Sequence, residues 1–150
     1  MKKRVLIICL FVVTFFYAQQ DYNTKNGLVA NGYDVTEYFN NKAIKGDPNF
    51  TSSYNGVSYQ FITAANKEKF DKNPIKYIPQ YGGYCAYAIG INGEKVSINP
   101  KTFEIRDGKL YLFYNSWGIN TLKKWKQEGA EDLQEKADKN WAKLGSTLKH

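Results

Sequence analysis

A single cysteine stands among tyrosines in one short segment of the chain. Cys85 lies within YGGYCAY, with Tyr81, Tyr84 and Tyr87 around it and Gly82-Gly83 allowing the backbone to turn. Such a thiol can bind a metal, act as a nucleophile or pack as a small buried hydrophobe. Clustered tyrosines form either a polar-lined core or the wall of a pocket, because their buried hydroxyls need partners. We therefore take Cys85, Tyr81, Tyr84 and Tyr87 as candidate ligand-binding residues, and Cys85 also as a candidate metal ligand.

The rest of the composition restricts the chemistry around Cys85. After residue 18 the chain has no other cysteine, no methionine and one histidine, His150 at the C terminus. A structural zinc site usually takes four thiolate or imidazole ligands, so one chain does not offer a closed zinc or copper(I) site. Motifs of serine hydrolases, phosphate-binding loops and zinc proteases are absent, and an enzyme is the less favoured class. Asp34 is a further candidate ligand-binding residue, with helix capping as its alternative role.

The first 18 residues have the organisation of a secretory signal peptide. Three cations, at positions 2–4, precede an apolar run from Val5 to Tyr17, and the small residue Ala18 follows. The run is shorter than the roughly 20 residues that span a bilayer as a helix. We predict export to the periplasm or the exterior after cleavage near Ala18, with no membrane span in the mature protein.

Charge and cysteine usage describe the protein that cleavage would leave. The full chain carries a net charge of +7, and without the three cations of the signal peptide it carries about +4. Acidic and basic residues interleave, so no basic stripe indicates nucleic-acid binding. Cys9 leaves with the signal peptide, so Cys85 has no partner for an internal disulfide. The fold must therefore depend on its packed core.

Turn and helix signals predict the elements that position these residues. Asn55-Gly56 and Asp107-Gly108 each separate two alternating segments, which predicts two β-hairpins over about residues 50–61 and 102–114. A helix is expected over about 34–40, and another follows Thr63 as its cap and ends before Pro74. We expect Asn115 or Ser116 to cap a helix that runs to about Gln127.

The C-terminal part carries a last amphipathic helix. Leu133, Ala137, Trp141 and Leu144 are spaced so that they lie on one helical face. The predicted fold is α+β, a small antiparallel sheet built from two β-hairpins and packed with short helices and a C-terminal helical tail. The predicted organisation is a signal peptide (1–18), a flexible lead-in (19–31), one domain (32–144) and a tail (145–150).

Several stretches together resemble the YHS domain in its small exported bacterial form, within the TRASH-like group. They are, in chain order, GYDVTEYF, AIKGDPNFTSSYNGVSYQFITAANKEKFDKNPIKYIPQYGGYCAYAI, INPKTFEIRDGKLYLFYN and ADKNWAKL. The resemblance covers about residues 32–144. It implies metal binding through several cysteines, one of them just after the second strand of the first hairpin. This chain has Ile62 and Thr63 there, so of that pattern Cys85 alone remains.

Three hypotheses follow for the function. The first is an exported, non-enzymatic YHS-type binding module that holds a metal ion or a small ligand near Cys85. The second is a thiol-dependent redox or enzymatic role centred on Cys85. The third is a structural or interaction domain in which Cys85 is an inert buried residue. The cofactor that the resemblance implies is a transition-metal ion, and the surroundings of Cys85 distinguish the three hypotheses.

Overall fold

The computed structural model describes residues 21–147 and has the predicted α+β fold, with strands and helices both well represented. The signal peptide predicted for residues 1–18 and the terminal His150 lie outside the described residues. The strands are β1 (Thr24–Lys25), β2 (Leu28–Val29), β3 (Asp47–Tyr54), β4 (Val57–Phe61), β5 (Asn99–Arg106), β6 (Lys109–Phe113), β7 (Asn115–Ser116) and β8 (Ile119–Asn120). The helices are α1 (Ala64–Lys72), α2 (Pro74–Tyr77), α3 (Ala86–Asn92), α4 (Thr121–Glu128) and α5 (Ala130–Thr147).

Both predicted hairpins form, but they lie in different sheets. The first, β3–β4, turns at Asn55-Gly56, where both residues have positive φ as this turn requires. The second, β5–β6, turns at Asp107-Gly108 in the same way and forms a sheet of its own. The expectation of one sheet built from the two hairpins is therefore wrong in this detail.

The N-terminal segment is folded where we expected a flexible lead-in. Strands β1 and β2 pair with each other, and β2 runs parallel to β4, which gives a four-stranded sheet in the order β1-β2-β4-β3. Val29 is completely buried in the core. The segment is held because burial of Val29 and the strand pairing offset the entropy of ordering a polar stretch. The folded domain thus begins before residue 32.

Helix capping follows the sequence in one place and departs from it in another. Thr63 caps α1 by accepting a hydrogen bond from the Asn66 backbone N–H, as predicted. The helix expected after Asn115 or Ser116 begins later, because these residues form β7 of a further hairpin, β7–β8. Asn120 caps α4 instead, with its side chain accepting from the Lys123 N–H at 3.1 Å. The helix predicted over 34–40 is a 3-10 helix at Glu37–Asn40.

Helix α3, which starts immediately after Cys85, was not predicted. It packs closely on α5, and a Cβ on its Gly90 would lie 2.8 Å from the backbone oxygen of Leu133. Glycine is therefore required where the two helices cross. Leu133 and Ala137 of α5 are buried on this side, with Trp141 and Leu144 packed beside them, as the helical spacing predicted.

Two hydrophobic clusters form the interior. One lies between the four-stranded sheet and α1 and is centred on Phe70. The ring centroids of Tyr59 and Phe61 lie 4.6 and 5.1 Å from that of Phe70. The other lies among β6 and helices α3 to α5 around the fully buried Trp125. Cys85 stands between them, in the first cluster and adjacent to the second. Within residues 21–147, no helix combines the length and apolar character needed to cross a membrane.

Candidate functional site

Cys85 is fixed by its backbone at the junction of three elements. It occupies the N-cap position of α3, and its N–H donates to the Val96 carbonyl at 2.9 Å. It also forms a parallel bridge with Leu112 of β6. Its exposed fraction is 0%, so solvent does not reach the thiol in this conformation. The helix start and the edge of β6 therefore determine where the sulfur points.

The sulfur is hydrogen-bonded to groups that arrive from much later in the chain. The Tyr114 N–H donates to Cys85 Sγ at 3.3 Å, and Thr121 Oγ1 lies 3.3 Å from the same sulfur. Thr121 donates its own hydroxyl hydrogen to the Tyr114 carbonyl at 2.8 Å. Because that hydrogen is already used, the S–H of Cys85 must donate to Thr121 Oγ1. The contacts thus satisfy a protonated thiol as both donor and acceptor.

A cavity of about 240 Å³ lies beside Cys85. Its wall is largely apolar, with one cation and one carboxylate among the polar groups. The residues that line it are Cys85, Tyr87, Ala88, Ile91, Asn92, Glu94, Val96, Tyr114, Ile119, Thr121 and Lys124. They come from α3, the loop after it, the end of β6, β8 and α4. The cavity therefore forms only when these elements pack around the sulfur.

Tyr87 shares this cavity with Cys85 and connects its two helical walls. Its hydroxyl lies 3.0 Å from each carboxylate oxygen of Glu128 at the end of α4. The ring lies 6.0 Å from Lys124 Nζ, within range of a cation–π interaction. Partial burial, followed by the bond to Glu128, raises the pKa of Tyr87. Tyr87 therefore keeps its hydroxyl proton and holds α3 against α4.

Tyr81 does not line the cavity beside Cys85. Tyr81 and Gly82 both have positive φ, so the backbone turns between them and Cys85 and directs the tyrosines apart. The Tyr81 hydroxyl donates to Asp138 of α5 at 2.8 Å, in a cluster with the rings of Tyr111 and Trp141. Tyr81 therefore belongs to the core, where it attaches α5 to the centre of the fold.

Tyr84 is directed toward the N-terminal segment, again outside the cavity. Its hydroxyl donates to Asp21 Oδ1 at 2.9 Å, and Lys95 Nζ contacts the other oxygen of that carboxylate at 2.5 Å. Desolvation, with the bond to Asp21, raises the pKa of Tyr84 to about 12. The bond to Lys95 lowers the pKa of Asp21. These three residues fasten the segment before β1 to the body of the domain.

Asp34 lies in a separate buried network. Its Oδ1 accepts from the Thr36 N–H at 2.9 Å and the Thr36 hydroxyl at 2.7 Å, and its Oδ2 accepts from the Ile62 N–H at 2.8 Å and Asn66 Nδ2 at 2.9 Å. Asn66 also donates to Glu37 at 2.8 Å. All these bonds are internal, and Asp34 is 0% exposed. Asp34 thus orders the turn before the 3-10 helix and the start of α1, which is close to the capping role.

The glycine pair before Cys85 has a different role from the one that a reactive thiol would need. Converging backbone N–H groups can stabilise a thiolate, but the N–H that reaches this sulfur is that of Tyr114 and not one from Gly82-Gly83. A Cβ on Gly82 would lie 2.2 Å from the backbone oxygen of Asp21, and its φ is +61°. Glycine is needed here because the N-terminal segment crosses directly over the turn.

The residues around Cys85 do not fit a transition-metal site within one copy of the chain. Among residues 21–147, no group of three or more His, Cys, Asp or Glu side chains is arranged to hold a metal ion. At the positions where the resemblance implies a second cysteine, Ile62 donates its N–H to Asp34 and Thr63 caps α1. A metal shared by two copies through Cys85 would need an accessible sulfur, whereas this one is completely buried.

Sequence reasoning placed Cys85 and Tyr87 at the site but missed most of its wall. Tyr114, Thr121 and Lys124 follow Cys85 by about 30 to 40 residues, and no spacing rule links them to it. They arrive because the hairpin β7–β8 reverses the chain and returns it beside β6, with Thr121 N–H donating to the Tyr114 carbonyl at 3.0 Å. A tertiary contact of this kind leaves no local signal.

We predict a graded loss of stability when Cys85 is replaced. Cys85→Ala leaves the partly buried Tyr114 N–H without its acceptor and should lower the free energy of unfolding by about 1–3 kcal/mol. Cys85→Ser keeps a donor and an acceptor, so its loss should be smaller. Urea unfolding followed by tryptophan fluorescence measures both values. An alanine variant as stable as the original protein would contradict the hydrogen bonding described for the thiol.

Comparisons with known proteins give no match for this chain, whether with protein-family models, with curated proteins or with solved structures.

Proposed function

We propose that the chain is an exported, non-enzymatic binding module of the YHS type that holds a small ligand in the cavity beside Cys85. The observation that carries this proposal is the cavity itself. It brings Cys85 and Tyr87, two of the candidate residues, together with side chains from α4 and β8. Two parts of the proposal rest on the sequence alone. Export is inferred from the predicted signal peptide, and membership of the YHS type is inferred from the resemblance over residues 32–144.

The size and lining of the cavity indicate the kind of ligand. At about 240 Å³ it is slightly below the usual range of ligand pockets, so the ligand is small. Ile91, Val96 and Ile119 offer apolar surface, while Lys124 and Glu94 stand among the lining residues as charged groups. A ligand with a compact apolar body and one ionic group satisfies both features. An anionic group would pair with Lys124, which has no ion pair among the described residues.

Cys85 has a structural part in this proposal. Its thiol is satisfied by Tyr114 and Thr121, and its burial prevents a soluble oxidant or substrate from reaching the sulfur. A redox or nucleophilic role would need an accessible thiolate with a neighbouring cation or base. These contacts therefore favour a wall residue over a reactive one. The remaining alternative, a purely structural domain, differs from the proposal only in whether the cavity is used.

The probe 1-anilinonaphthalene-8-sulfonate tests the cavity, because it has an apolar body and one anionic group. We predict saturable binding of one probe per mature chain. Ala88→Leu places a larger side chain on the cavity wall and should weaken binding at least about tenfold, or 1.4 kcal/mol. Fluorescence titration at neutral pH measures the affinity. Ala142→Leu, on the exposed side of α5, is the matched control and should bind as the original protein does.

A second pair of measurements tests whether Lys124 pairs with the anionic group of the ligand. Lys124→Ala should weaken binding of the anionic probe but leave binding of the neutral analogue N-phenyl-1-naphthylamine unchanged, because only the first probe carries a sulfonate. Circular dichroism must show that each variant is folded, since partly unfolded chains also bind such dyes. Absence of saturable binding, or equal binding by the Ala88→Leu protein, would reject the proposed function and leave the structural domain.

A further inference from the structure

A second concave surface, which shares Tyr114 with the cavity beside Cys85, lies on the side of the molecule that carries Tyr33 and Pro100. These two residues line both of two neighbouring cavities, of about 510 and 310 Å³. One cavity extends toward the turn of β7–β8, and the other toward the turn of β1–β2. Because they share these walls, we treat them as one groove, here called the Tyr33 groove.

The lining of the Tyr33 groove combines cations, amides and aromatic rings. The cations are Lys25, Lys45 and Lys101, and no aspartate or glutamate lines either cavity. The neutral polar residues are Asn26, Asn31, Asn99, Asn115, Ser97 and Ser116. The aromatic residues are Tyr33, Tyr114 and Trp117. Such a lining is polar and positively charged, and its aromatic rings add flat apolar surfaces. It therefore suits a hydrophilic anion better than an apolar ligand.

The three lysines are available to a ligand. None of them forms an ion pair within the described part of the chain. Lys45 is held in place by donating to the Asn31 carbonyl, with its Nζ 5.6 Å from the centre of the Tyr33 ring. Lys25 and Lys101 are exposed. The groove therefore has positive charge along both cavities that is not neutralised by protein carboxylates.

Trp117 presents its ring at one end of the groove in an unusual way. It is 93% exposed and has φ of +50° in the turn of β7–β8. The other three hairpin turns have Asn26, Asn55 or Asp107 at the corresponding position, as left-handed backbone favours. Tryptophan at this place adds conformational strain and no burial, so folding does not account for it. Strained backbone positions cluster at binding sites, so this exposed ring is a candidate ligand contact.

The base of this hairpin is held by side-chain hydrogen bonds, so the turn that carries Trp117 has a defined place beside the groove. Asn99 donates to the Asn115 carbonyl at 3.2 Å, and the Asn115 side chain donates to Thr102 Oγ1 at 3.0 Å. Both asparagines line the groove and are oriented by these bonds before any ligand arrives. Amides that are already oriented reduce the entropy lost on binding.

We propose that the Tyr33 groove binds an acidic polysaccharide, such as a polyuronate or a sulfated glycan. The faces of sugar rings pack on Trp117 and Tyr33, the hydroxyl groups hydrogen-bond with the asparagine amides, and carboxylates or sulfates pair with the lysines. A single-stranded nucleic acid would also use rings and cations. Three separated lysines give little of the continuous phosphate contact on which such binding depends.

The probes are hexasaccharides of alginate and of chondroitin sulfate, with cellohexaose as the neutral sugar and a short oligothymidylate as the nucleic acid. Isothermal titration of the mature protein should show binding of at least one acidic hexasaccharide and at least tenfold weaker binding of the other two probes. Absence of binding by both acidic sugars, or tighter binding of oligothymidylate, would overturn the proposal.

Two variants test the contacts between groove and ligand without disturbing the fold. Trp117→Asn provides a residue that the turn prefers, so it should fold at least as well as the original protein and bind the acidic hexasaccharide at least tenfold more weakly. Lys25→Gln with Lys101→Gln should weaken binding and flatten its salt dependence. Lys72→Gln with Lys139→Gln removes the same charge from exposed positions outside the groove and should have no such effect. Unchanged binding by the Trp117→Asn protein would also overturn the proposal.

Discussion

Asp34→Ala is expected to lower the free energy of unfolding by about 3–5 kcal/mol. The carboxylate accepts hydrogen bonds from Thr36, Ile62 and Asn66, and all of them lie in buried or partly buried surroundings. Alanine supplies no acceptor, so the Ile62 N–H and the Asn66 amide lose their partner inside the protein. Since whole domains are stable by roughly 5–15 kcal/mol, this change removes a large part of the stability. Urea unfolding followed by circular dichroism measures it.

The asparagine variant shows why the effect belongs to folding and not to a ligand. Asp34→Asn keeps the size of the side chain but replaces one carboxylate oxygen by an amide NH₂. In one orientation this NH₂ faces the donors of Ile62 and Asn66, and in the other it faces those of Thr36. Donors then face donors, so the loss should approach that of alanine. Asp132→Ala on the exposed first turn of α5 is the control and should cost less than about 1 kcal/mol. An Asp34→Asn protein of full stability would contradict the network and return Asp34 to the candidate ligand-binding residues.

Turn chemistry accounts for the two hairpins that were predicted, although the same Asn-Gly signal at Asn26-Gly27, between β1 and β2, was not recognised. Asn55-Gly56 and Asp107-Gly108 satisfy a requirement for positive φ that depends only on the residues in the turn, and both turns form where expected. Trp117-Gly118 adopts the same backbone but carries no such signal, because tryptophan is not a usual turn residue. The hairpin β7–β8 was consequently missed, and with it the correct cap of α4, Asn120. The same unusual residue is the basis of the polysaccharide proposal.

The residues around Cys85 are also of two kinds, those close to it in sequence and those brought to it by tertiary packing. Cys85 and Tyr87 are two residues apart at the start of α3, so one short segment brings them to a single cavity. Tyr81 is closer to Cys85 in sequence than many wall residues, yet its positive φ directs it toward α5. Thr121 lies far away in sequence and touches the sulfur. Two of the candidate residues from one short segment therefore line the same cavity, while tertiary packing decides its other walls.

A steep loss of stability at alkaline pH is the second large effect that we expect. Burial raises the pKa of Tyr38, Tyr59 and Tyr81 well above the usual value, with neighbouring charged or phenolic groups adding to the shift. Burial also raises the pKa of Tyr111, to about 12. In the unfolded chain these phenols ionise at about pH 10. Above that pH the unfolded chain releases protons that the folded protein retains, so rising pH favours unfolding.

The magnitude follows from the number of retained protons. Each fully buried phenol contributes up to about 1.4 kcal/mol per pH unit above pH 10, which is about 4 kcal/mol per unit for Tyr38, Tyr59 and Tyr81 together. This stability is fully present below pH 10 and would be lost completely only above the folded pKa values. Ionisation of the buried tyrosines should therefore coincide with unfolding. Tyrosinate absorbance and circular dichroism, recorded together against pH, should show one shared transition.

Two phenylalanine variants connect this transition to individual rings. The Tyr59 hydroxyl is the buried side-chain polar atom without a hydrogen-bond partner among the described residues. Tyr59→Phe removes this unsatisfied group, so it should raise stability at neutral pH by about 1 kcal/mol and reduce the alkaline slope by one proton. Tyr81→Phe should reduce the slope equally but cost stability at neutral pH, because Asp138 loses its donor. Tyrosines that all titrate near pH 10 in the folded protein, before circular dichroism changes, would contradict the burial of these rings.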